Sequence, residues 1–148
     1  VAAGGIGSGD AMLAAMALGA EGVQIGTLFA LSAESSASEA FKQRCLALDE
    51  GGTMLCLKKL SPTRLVRNGL FDKVAEAEAR GANAEELRDI LGKAASKRGI
   101  FEGDTEQGEL EIGQIASSVD AIRPAGEIVR QLVENFRKAQ KDVAAIGF

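Results

Sequence analysis

Residues Val1 to Thr27 read VAAGGIGSGDAMLAAMALGAEGVQIGT, and their pattern indicates the fold class. It begins with a short apolar run, Val1 to Ala3, which leads into a glycine-rich turn. The strong helix formers Ala, Met and Leu then fill Asp10 to Leu18 almost throughout. After another glycine, Gly22 to Gly26 resumes a β-like pattern. This order predicts a compact βαβ unit.

The boundaries of the predicted helix are marked by residues that suit helix ends. Ser8 or Asp10 can cap its start, and Gly19 can end it in a left-handed conformation. Because this helix is hydrophobic nearly all round, we expect it to pack against a sheet on one side and against further protein on the other.

The composition is that of a globular protein. The chain has 148 residues, of which 46% are apolar and 26% charged, and this is enough material for a buried core. Cys45 and Cys56 are too few for a disulfide framework, and no cleavable signal is recognisable, so we expect a cytoplasmic protein. The most apolar stretch, Ala11 to Leu31, is interrupted by polar residues and glycines and makes a poor membrane span.

The residue types that the chain lacks restrict the reactions and ligands that it can support. The chain contains no histidine, so imidazole cannot act here as a base or a metal ligand. It has six Phe but no Tyr or Trp, and its net charge is −4, which argues against a nucleic acid as partner. All 17 Lys and Arg residues lie at or after Lys42, so the first 41 residues contain four acidic residues and no basic ones.

After residue 35 the pattern predicts mostly helix. The predicted elements are a helix from the capping box Ser36-x-x-Glu39 to about Asp49, a strand over Thr53–Leu57, a loop over Thr63–Gly69, a helix over Leu70–Arg80, a helix through Leu91 capped by Asn83-x-x-Glu86, a loop over Ala94–Gly108, a helix over Leu110–Ile122 and a final helix from Pro124 to about Val143.

Two glycine-containing turns are candidates for binding a phosphate group. Ala3 to Ile6 and Gln24 to Thr27 follow what should be neighbouring parallel strands, and the carboxyl ends of such strands are where α/β proteins bind ligands. Glycine lets backbone amides approach an anion closely. With no basic residue before Lys42, a phosphate would be held by amides and the Thr27 hydroxyl, either alone or with the help of a basic residue from far along the chain. The alternative, that these glycines serve only tight turns and close packing, is equally open at this point.

These residues also resemble a known family. Val1–Ile6, a spacer helix and Leu18–Thr27 resemble the seventh and eighth βα units of the FMN-dependent (β/α)8 barrels of the nitronate monooxygenase (2-nitropropane dioxygenase) family. Flavin-dependent enoyl-acyl carrier protein reductases are similar in the same signature. The resemblance continues through Glu34-Ser35, Pro62-x-Arg64, Gly113-Gln114 and Ile122-Arg123-Pro124-Ala125.

The resemblance implies a fold class and a cofactor site. The implied fold is α/β, the C-terminal fragment of a (β/α)8 TIM barrel: residues 1–57 would end the FMN-binding barrel, and residues 58–148 would form a mainly helical extension that covers it. The cofactor would be FMN. Its phosphate contacts, carried over residue by residue, would be Gly4, Gly5, Gln24, Ile25, Gly26 and Thr27.

The implied activity is oxidation of a nitronate to a carbonyl compound and nitrite, with dioxygen reoxidising the flavin. The family's catalytic histidine would lie in the missing N-terminal part of the barrel, so we expect no catalytic residue in this chain and no turnover by it alone. The implied partners are a small-molecule nitronate, the missing barrel half and a second copy of the chain. The alternatives are a flavin-dependent enoyl reductase, a phosphate-binding barrel of the inosine monophosphate dehydrogenase type, and a non-enzymatic helical interaction module.

The remaining candidates have plain structural explanations as well. Eleven positions separate Cys45 and Cys56, which favours buried, inert thiols over a redox pair. Arg64, within a basic loop, can reach an acidic or phosphorylated ligand or simply be solvated, and Gln114 can lie near a substrate cavity or start a helix. We expect no metal site, because the remaining acidic cluster, Asp104, Glu106, Glu109 and Glu111, lacks the ligand spacing of a calcium loop.

Overall fold

The structure is a computed structural model, and it describes residues 1–146. The elements in chain order are β1 (Ala2–Ala3), α1 (Gly9–Ala17), β2 (Val23–Gln24), α2 (Thr27–Ala30), α3 (Glu39–Leu46), β3 (Thr53–Cys56), β4 (Thr63–Val66), α4 (Gly69–Ala79), α5 (Ala84–Leu91), a π-helix (Lys97–Phe101), a 3₁₀-helix (Gln114–Ser118) and α6 (Ala125–Ala144).

The chain forms two compact units. The first contains Val1–Ser35 and residues 121–146, and the second is Ser36–Asp120. This division differs from the sequence-based one at residue 57 because α6 packs back onto α1. The assignment of residues 1–57 to a barrel and of residues 58–148 to an extension concerns a larger assembly and stays a prediction.

In the first unit the predicted βαβ arrangement is present. β1 and β2 pair in parallel, with Ala2 opposite Val23 and Ala3 opposite Gln24. The Ser8 hydroxyl oxygen accepts a hydrogen bond from the amide of Ala11 at the start of α1. The helix then ends before a left-handed glycine.

α1 packs against the long C-terminal helix α6, and a glycine makes the close approach possible. A Cβ atom at Gly9 would lie 2.2 Å from the backbone nitrogen of Phe136, which no side chain can tolerate. Ile128 and Leu132 on α6 are buried. The start of α6, at Pro124, and its extent agree with the prediction to within about a turn.

The second unit is built on an antiparallel hairpin. β3 and β4 pair with Thr53 opposite Val66 and Cys56 opposite Thr63. Helices α4 and α5, at the positions predicted from sequence, supply the other side of its core. The buried residues of this core cluster are Cys56, Leu57, Leu65, Val74, Ala77, Ala82 and Leu87.

The predicted loop over Thr63–Gly69 is wrong, because its first half is strand β4. The predicted helix over Leu110–Ile122 is also wrong. Its first residues are extended along β4: the Val66 amide donates to the Leu110 carbonyl at 2.9 Å, and Glu111 forms a β-bridge with Leu65. Within that range the helical part is the short 3₁₀-helix. Pairing with a partner distant in sequence overrides the local helical pattern here.

Two smaller predictions are also corrected. α3 is capped by Ser38 rather than Ser36, because the Ser38 hydroxyl accepts from the Phe41 amide, and the helix ends at Leu46 instead of Asp49. The predicted loop over Ala94–Gly108 contains the π-helix. Its Gly99 lies so close to the residue 108 backbone that a Cβ on either glycine would come within 2.5 Å of another atom.

No helix within residues 1–146 is long and apolar enough to cross a bilayer.

The side chain of Asn68 ties the loop before residue 109 to the start of α4. Its Oδ1 accepts from the Phe71 amide, which caps the helix. Its Nδ2 donates at 2.9 Å to the carbonyls of both Thr105 and Gly108. Asn83 caps α5 through Oδ1 in the same way, but its bonds stay within the helix end.

We expect Asn68→Asp to lower the free energy of unfolding by about 2–3 kcal/mol, since the cap acceptor survives while two donors are replaced by an oxygen facing two carbonyls. The matched control Asn83→Asp keeps its cap and should change the free energy by less than about 0.5 kcal/mol. Urea denaturation of each variant measures both. Equal effects of the two substitutions would contradict the role given to Asn68.

Candidate functional site

The two glycine-containing turns lie at the same edge of the small parallel sheet. Ala3 is the pairing partner of Gln24, and each strand ends at that residue. Neighbouring strands lie about 4.8 Å apart. Gly4 and Ile25 therefore begin adjacent turns that leave the sheet on the same side, as the phosphate-cradle hypothesis requires.

The first turn depends on glycine for its conformation. Gly4 and Gly5 have φ angles of 88° and 71°, in the left-handed region that other residues rarely adopt. Both residues are exposed, and nothing lies within 4 Å of the position that a Cβ on Gly4 would occupy. The backbone of this turn is thus open to an approaching group.

The second turn presents the start of a helix. Gly26 is the N-cap of α2 and provides no side-chain cap. The Gly26 carbonyl accepts from the Ala30 amide, so the helix proper begins here. The first amides of a helix have no acceptor within it and are positioned to bind an anion. Gln24 is exposed, Ile25 is half-buried and Thr27 is buried at 9% exposure.

Gly26 is not explained by the fold of the chain itself. Its φ of −95° is accessible to any residue, and a Cβ there would meet no atom within 4 Å. Gly9 is the opposite case, because a Cβ there would collide with α6. Close packing within the chain therefore explains the glycine at position 9 but does not explain the glycine at position 26. A ligand that approaches the backbone closely would account for it.

The fit of this edge to a phosphate group rests on dipoles rather than on ionic side chains. Residues 1–41 contain no Lys or Arg. Among the residues that follow in the same unit, the Arg123 guanidinium lies 3.5 Å from the Glu127 carboxylate. Backbone amides at a helix start and a Thr hydroxyl are suitable donors for a dianionic phosphate, so the residues present fit such a group.

Glu34 has a structural role that the sequence did not reveal. Its carboxylate oxygen accepts a hydrogen bond of 2.8 Å from the Ala125 amide at the start of α6, where a negative charge is favourable. The neighbouring Ala33 amide donates to the carbonyl of Arg123. Two of the segments that carried the family resemblance therefore meet and fix the start of α6.

Two basic residues of the second unit, Lys59 and Arg64, have different surroundings. Lys59 Nζ donates to the carbonyls of Gly81 and Ala82, which ties the hairpin to the end of α4. Arg64, by contrast, lines a cavity together with Gln114. The structure thus brings together two residues that the sequence had marked separately.

Two of the four acidic residues between Asp104 and Glu111 accept hydrogen bonds within the fold. Asp104 Oδ1 accepts from the amides of Glu106 and Gln107, which closes a turn. Glu109 accepts a hydrogen bond of 2.6 Å from the Ser96 hydroxyl. Desolvation of its carboxyl group by nearby protein atoms, together with the charge of Glu109, raises the pKa of Glu111.

Both cysteines are buried thiols, as predicted. Cys45 has 0% and Cys56 2% of its surface exposed, and both are free. Burial disfavours the charged thiolate and raises the pKa of Cys45 to about 12, against an opposing effect of Arg44. Burial raises the pKa of Cys56 to about 11, with Glu78 and Glu109 adding to it.

Comparison with known proteins gives a consistent result. The family model described as nitronate monooxygenase matches residues 1–135. A nitronate monooxygenase of Neurospora crassa is 30% identical, aligned over 99% of this chain and 40% of its own length. Among solved structures, FabK from Thermotoga maritima superposes with a TM-score of 0.87 at 33% identity, covering 96% of this chain and 45% of FabK.

A second solved structure, a nitroalkane oxidase from Streptomyces ansochromogenes, superposes with a TM-score of 0.73 at 29% identity, covering 95% of this chain and 40% of the oxidase. The chain therefore has an α/β fold similar to that of these two proteins. It spans less than half the length of the fungal relative and of both structures.

We expect neither thiol to react with a thiol-specific reagent in the folded chain at pH 8, and both to react after unfolding, because burial removes access and holds the proton. A reagent such as dithionitrobenzoate measures this by absorbance. Rapid labelling of either cysteine without denaturant would contradict the burial described here.

The same thiols give a pH dependence. Below the ordinary thiol pKa of 9.0 both thiols are protonated in the folded and in the unfolded chain, so they do not change the free energy of unfolding with pH. As the pH rises from 9 towards 11, thiols in the unfolded chain ionise while those in the folded chain keep their protons. The free energy of unfolding therefore falls, by up to about 1.4 kcal/mol per pH unit for each thiol. Cys45→Ala should reduce this slope.

Proposed function

Because this chain belongs to the nitronate monooxygenase family, we propose that it is the FMN-phosphate-binding portion of a flavin-dependent oxidoreductase built on a (β/α)8 barrel. In this proposal β1 and β2 are the last two strands of the barrel, and α6, from the helical extension, covers α1. The rest of the barrel would come from a longer parent protein, in line with the share of its relatives that the chain spans.

One observation carries the proposal. The parallel pairing of Ala3 with Gln24 brings two turns to one edge, and the second turn has a glycine, Gly26, that neither backbone conformation nor packing within the chain requires. An open backbone at two adjacent strand ends suits a phosphate group. The residues proposed to contact it are Gly4, Gly5, Gln24, Ile25, Gly26 and Thr27.

The chain's own contribution is binding and orientation. The amides at the start of α2 and the Thr27 hydroxyl would donate hydrogen bonds to the phosphate, and the left-handed Gly4 and Gly5 would let the first turn approach it closely. Bound FMN would supply the redox chemistry that converts a nitronate and dioxygen into a carbonyl compound and nitrite. No histidine is present, so the base would come from the rest of the parent protein.

The flavin-dependent enoyl-acyl carrier protein reductases remain the alternative, because the same kind of phosphate cradle is implied for them. Binding of the FMN phosphate does not determine which substrate the flavin oxidises or reduces. The family match and the similarity to a nitroalkane oxidase favour a nitronate. A small-molecule nitronate is therefore the proposed substrate of the parent.

We expect Gly26→Ala to weaken FMN binding by roughly tenfold or more, since a methyl group would occupy the space proposed for the phosphate. Folding should be preserved, with a change in the free energy of unfolding below about 1 kcal/mol, because that Cβ contacts nothing in the chain. Quenching of flavin fluorescence on the parent protein measures affinity, and urea denaturation measures stability.

The matched control is Gly22→Ala. Gly22 is on the approach to β2, its φ is outside the left-handed region, and a Cβ there also meets nothing within 4 Å. FMN affinity should be unchanged in this variant. If the alanine at position 26 binds FMN as well as the unmodified protein, the phosphate assignment is wrong.

For the reaction, we expect the parent protein to be yellow and to consume oxygen with propyl-2-nitronate, releasing nitrite. It should not oxidise NADH in the presence of a crotonyl thioester. An oxygen electrode, a nitrite assay and absorbance at 340 nm separate the two activities. NADH oxidation that depends on the thioester, with no nitrite from the nitronate, would favour the reductase alternative.

The chain by itself should give no turnover with nitronate and added FMN, because it lacks the imidazole base. Nitrite release by the isolated chain at the rate of the parent would contradict the placement of the base outside it.

A further inference from the structure

The second unit contains a polar cavity that the phosphate cradle does not use. Its volume is about 370 Å³, which is enough for a small metabolite. It is lined by the loop before β3, by Arg64 on β4 and by the 3₁₀-helix, so three separate segments of the unit converge on it. Two of those segments, around Arg64 and Gln114, were marked in the sequence without a role.

Arg64 supplies the positive charge of the cavity. The residue is half-buried, and its Nη1 donates to the Thr53 carbonyl at 3.0 Å and to the Thr53 hydroxyl at 3.3 Å. These bonds orient the guanidinium, which has five N–H donors in a planar fork. Within residues 1–146, Thr53 is the only residue to which its side chain hydrogen-bonds, so the other donors are available to an oxyanion.

Two serine hydroxyls and the Glu50 carboxylate offer hydrogen-bond acceptors to the cavity, while the Gln114 side-chain amide can both donate and accept. The Ser117 hydroxyl donates to the carbonyl of Gln114, and the Ser118 hydroxyl donates to that of Ile115 at 2.7 Å. With their protons engaged in these bonds, both hydroxyl oxygens can accept from a ligand. The exposed Glu50 carboxylate, which forms no ion pair within the described part of the chain, is likewise an acceptor.

The cavity therefore combines one positive and one negative side chain with neutral polar groups, among them two hydroxyl acceptors and the Gln114 amide. A phosphate or another dianion would meet Arg64 but also the like charge of Glu50. A ligand with one carboxylate and one ammonium group matches both, with the carboxylate on Arg64 and the ammonium on Glu50 and the serine oxygens. Ile115 provides an apolar contact for a short side chain.

We propose that the cavity between the loop before β3, Arg64 and the 3₁₀-helix binds a small zwitterion of the α-amino acid class. The proposal concerns the second unit alone and does not depend on flavin binding, so its test is independent of the test of the proposed function.

The test uses three probes of one shape: L-leucine, 4-methylpentanoate, which lacks the ammonium group, and 3-methylbutylamine, which lacks the carboxylate. NMR titration of the ¹⁵N-labelled chain should show saturable shifts with L-leucine at the amides of Gly51, Thr53 and Ser117. Each of the other two probes should bind roughly tenfold or more weakly, since it loses one charged contact.

Glu50→Gln and Arg64→Gln should each weaken L-leucine binding by a similar factor. Glu85→Gln, which removes an exposed carboxylate on α5, should leave it unchanged. If Arg64→Gln fails to fold because it loses its bonds to Thr53, the exposed Glu50 position still gives a decisive result.

Two outcomes would overturn the proposal. Binding of 4-methylpentanoate or inorganic phosphate as tight as that of L-leucine would make the cavity a simple anion site. An absence of saturable shifts at these amides up to about 50 mM L-leucine would mean that it is no site for this class.

Discussion

The parallel pairing of β1 with β2 is the constraint on which the candidate site depends. Each strand has only two residues, yet their register sets Ala3 beside Gln24 and sends the following turns to one edge. An antiparallel pairing would send them to opposite ends. Parallel pairing requires a crossover connection, and α1 supplies it within a segment of about twenty residues. The βαβ unit thus puts both glycine turns at one edge of the small sheet.

The glycines of the first unit have different physical reasons. Gly4 and Gly5 are required by positive φ angles, and Gly9 by the approach of α6. Gly26 and Gly22 have neither reason, but Gly26 lies in the turn that follows the end of β2, which is why the cradle hypothesis rests on Gly26. A glycine count cannot make this distinction, because it depends on the surroundings of each Cβ position and on where the glycine lies relative to the strand ends.

The second unit shows how non-local pairing organises a segment with weak local signals. β3 is followed by β4, and β4 in turn pairs with the extended residues around Glu111, so three stretches are held by hydrogen bonds between strands. Leu110 and Ile112 are buried while the residue between them is exposed, which is the alternation of a strand. This pairing leads directly to the 3₁₀-helix and brings it to the cavity lined by Arg64.

Local patterns predicted the βαβ unit and the helices α4, α5 and α6, because helix propensity, caps and left-handed glycines act within a few residues of one another. The spacing of the two cysteines likewise predicted that both are buried thiols. By contrast, the strand at Thr63–Val66, the extended residues 110–112 and the meeting of Arg64 with Gln114 are seen only in the folded chain. The partners lie seven to thirteen residues away in the β3–β4 hairpin and more than forty away for residues 110–112, and their contact energy outweighs the local preference. The same holds for Gly26, since its open surroundings exist only in the folded chain.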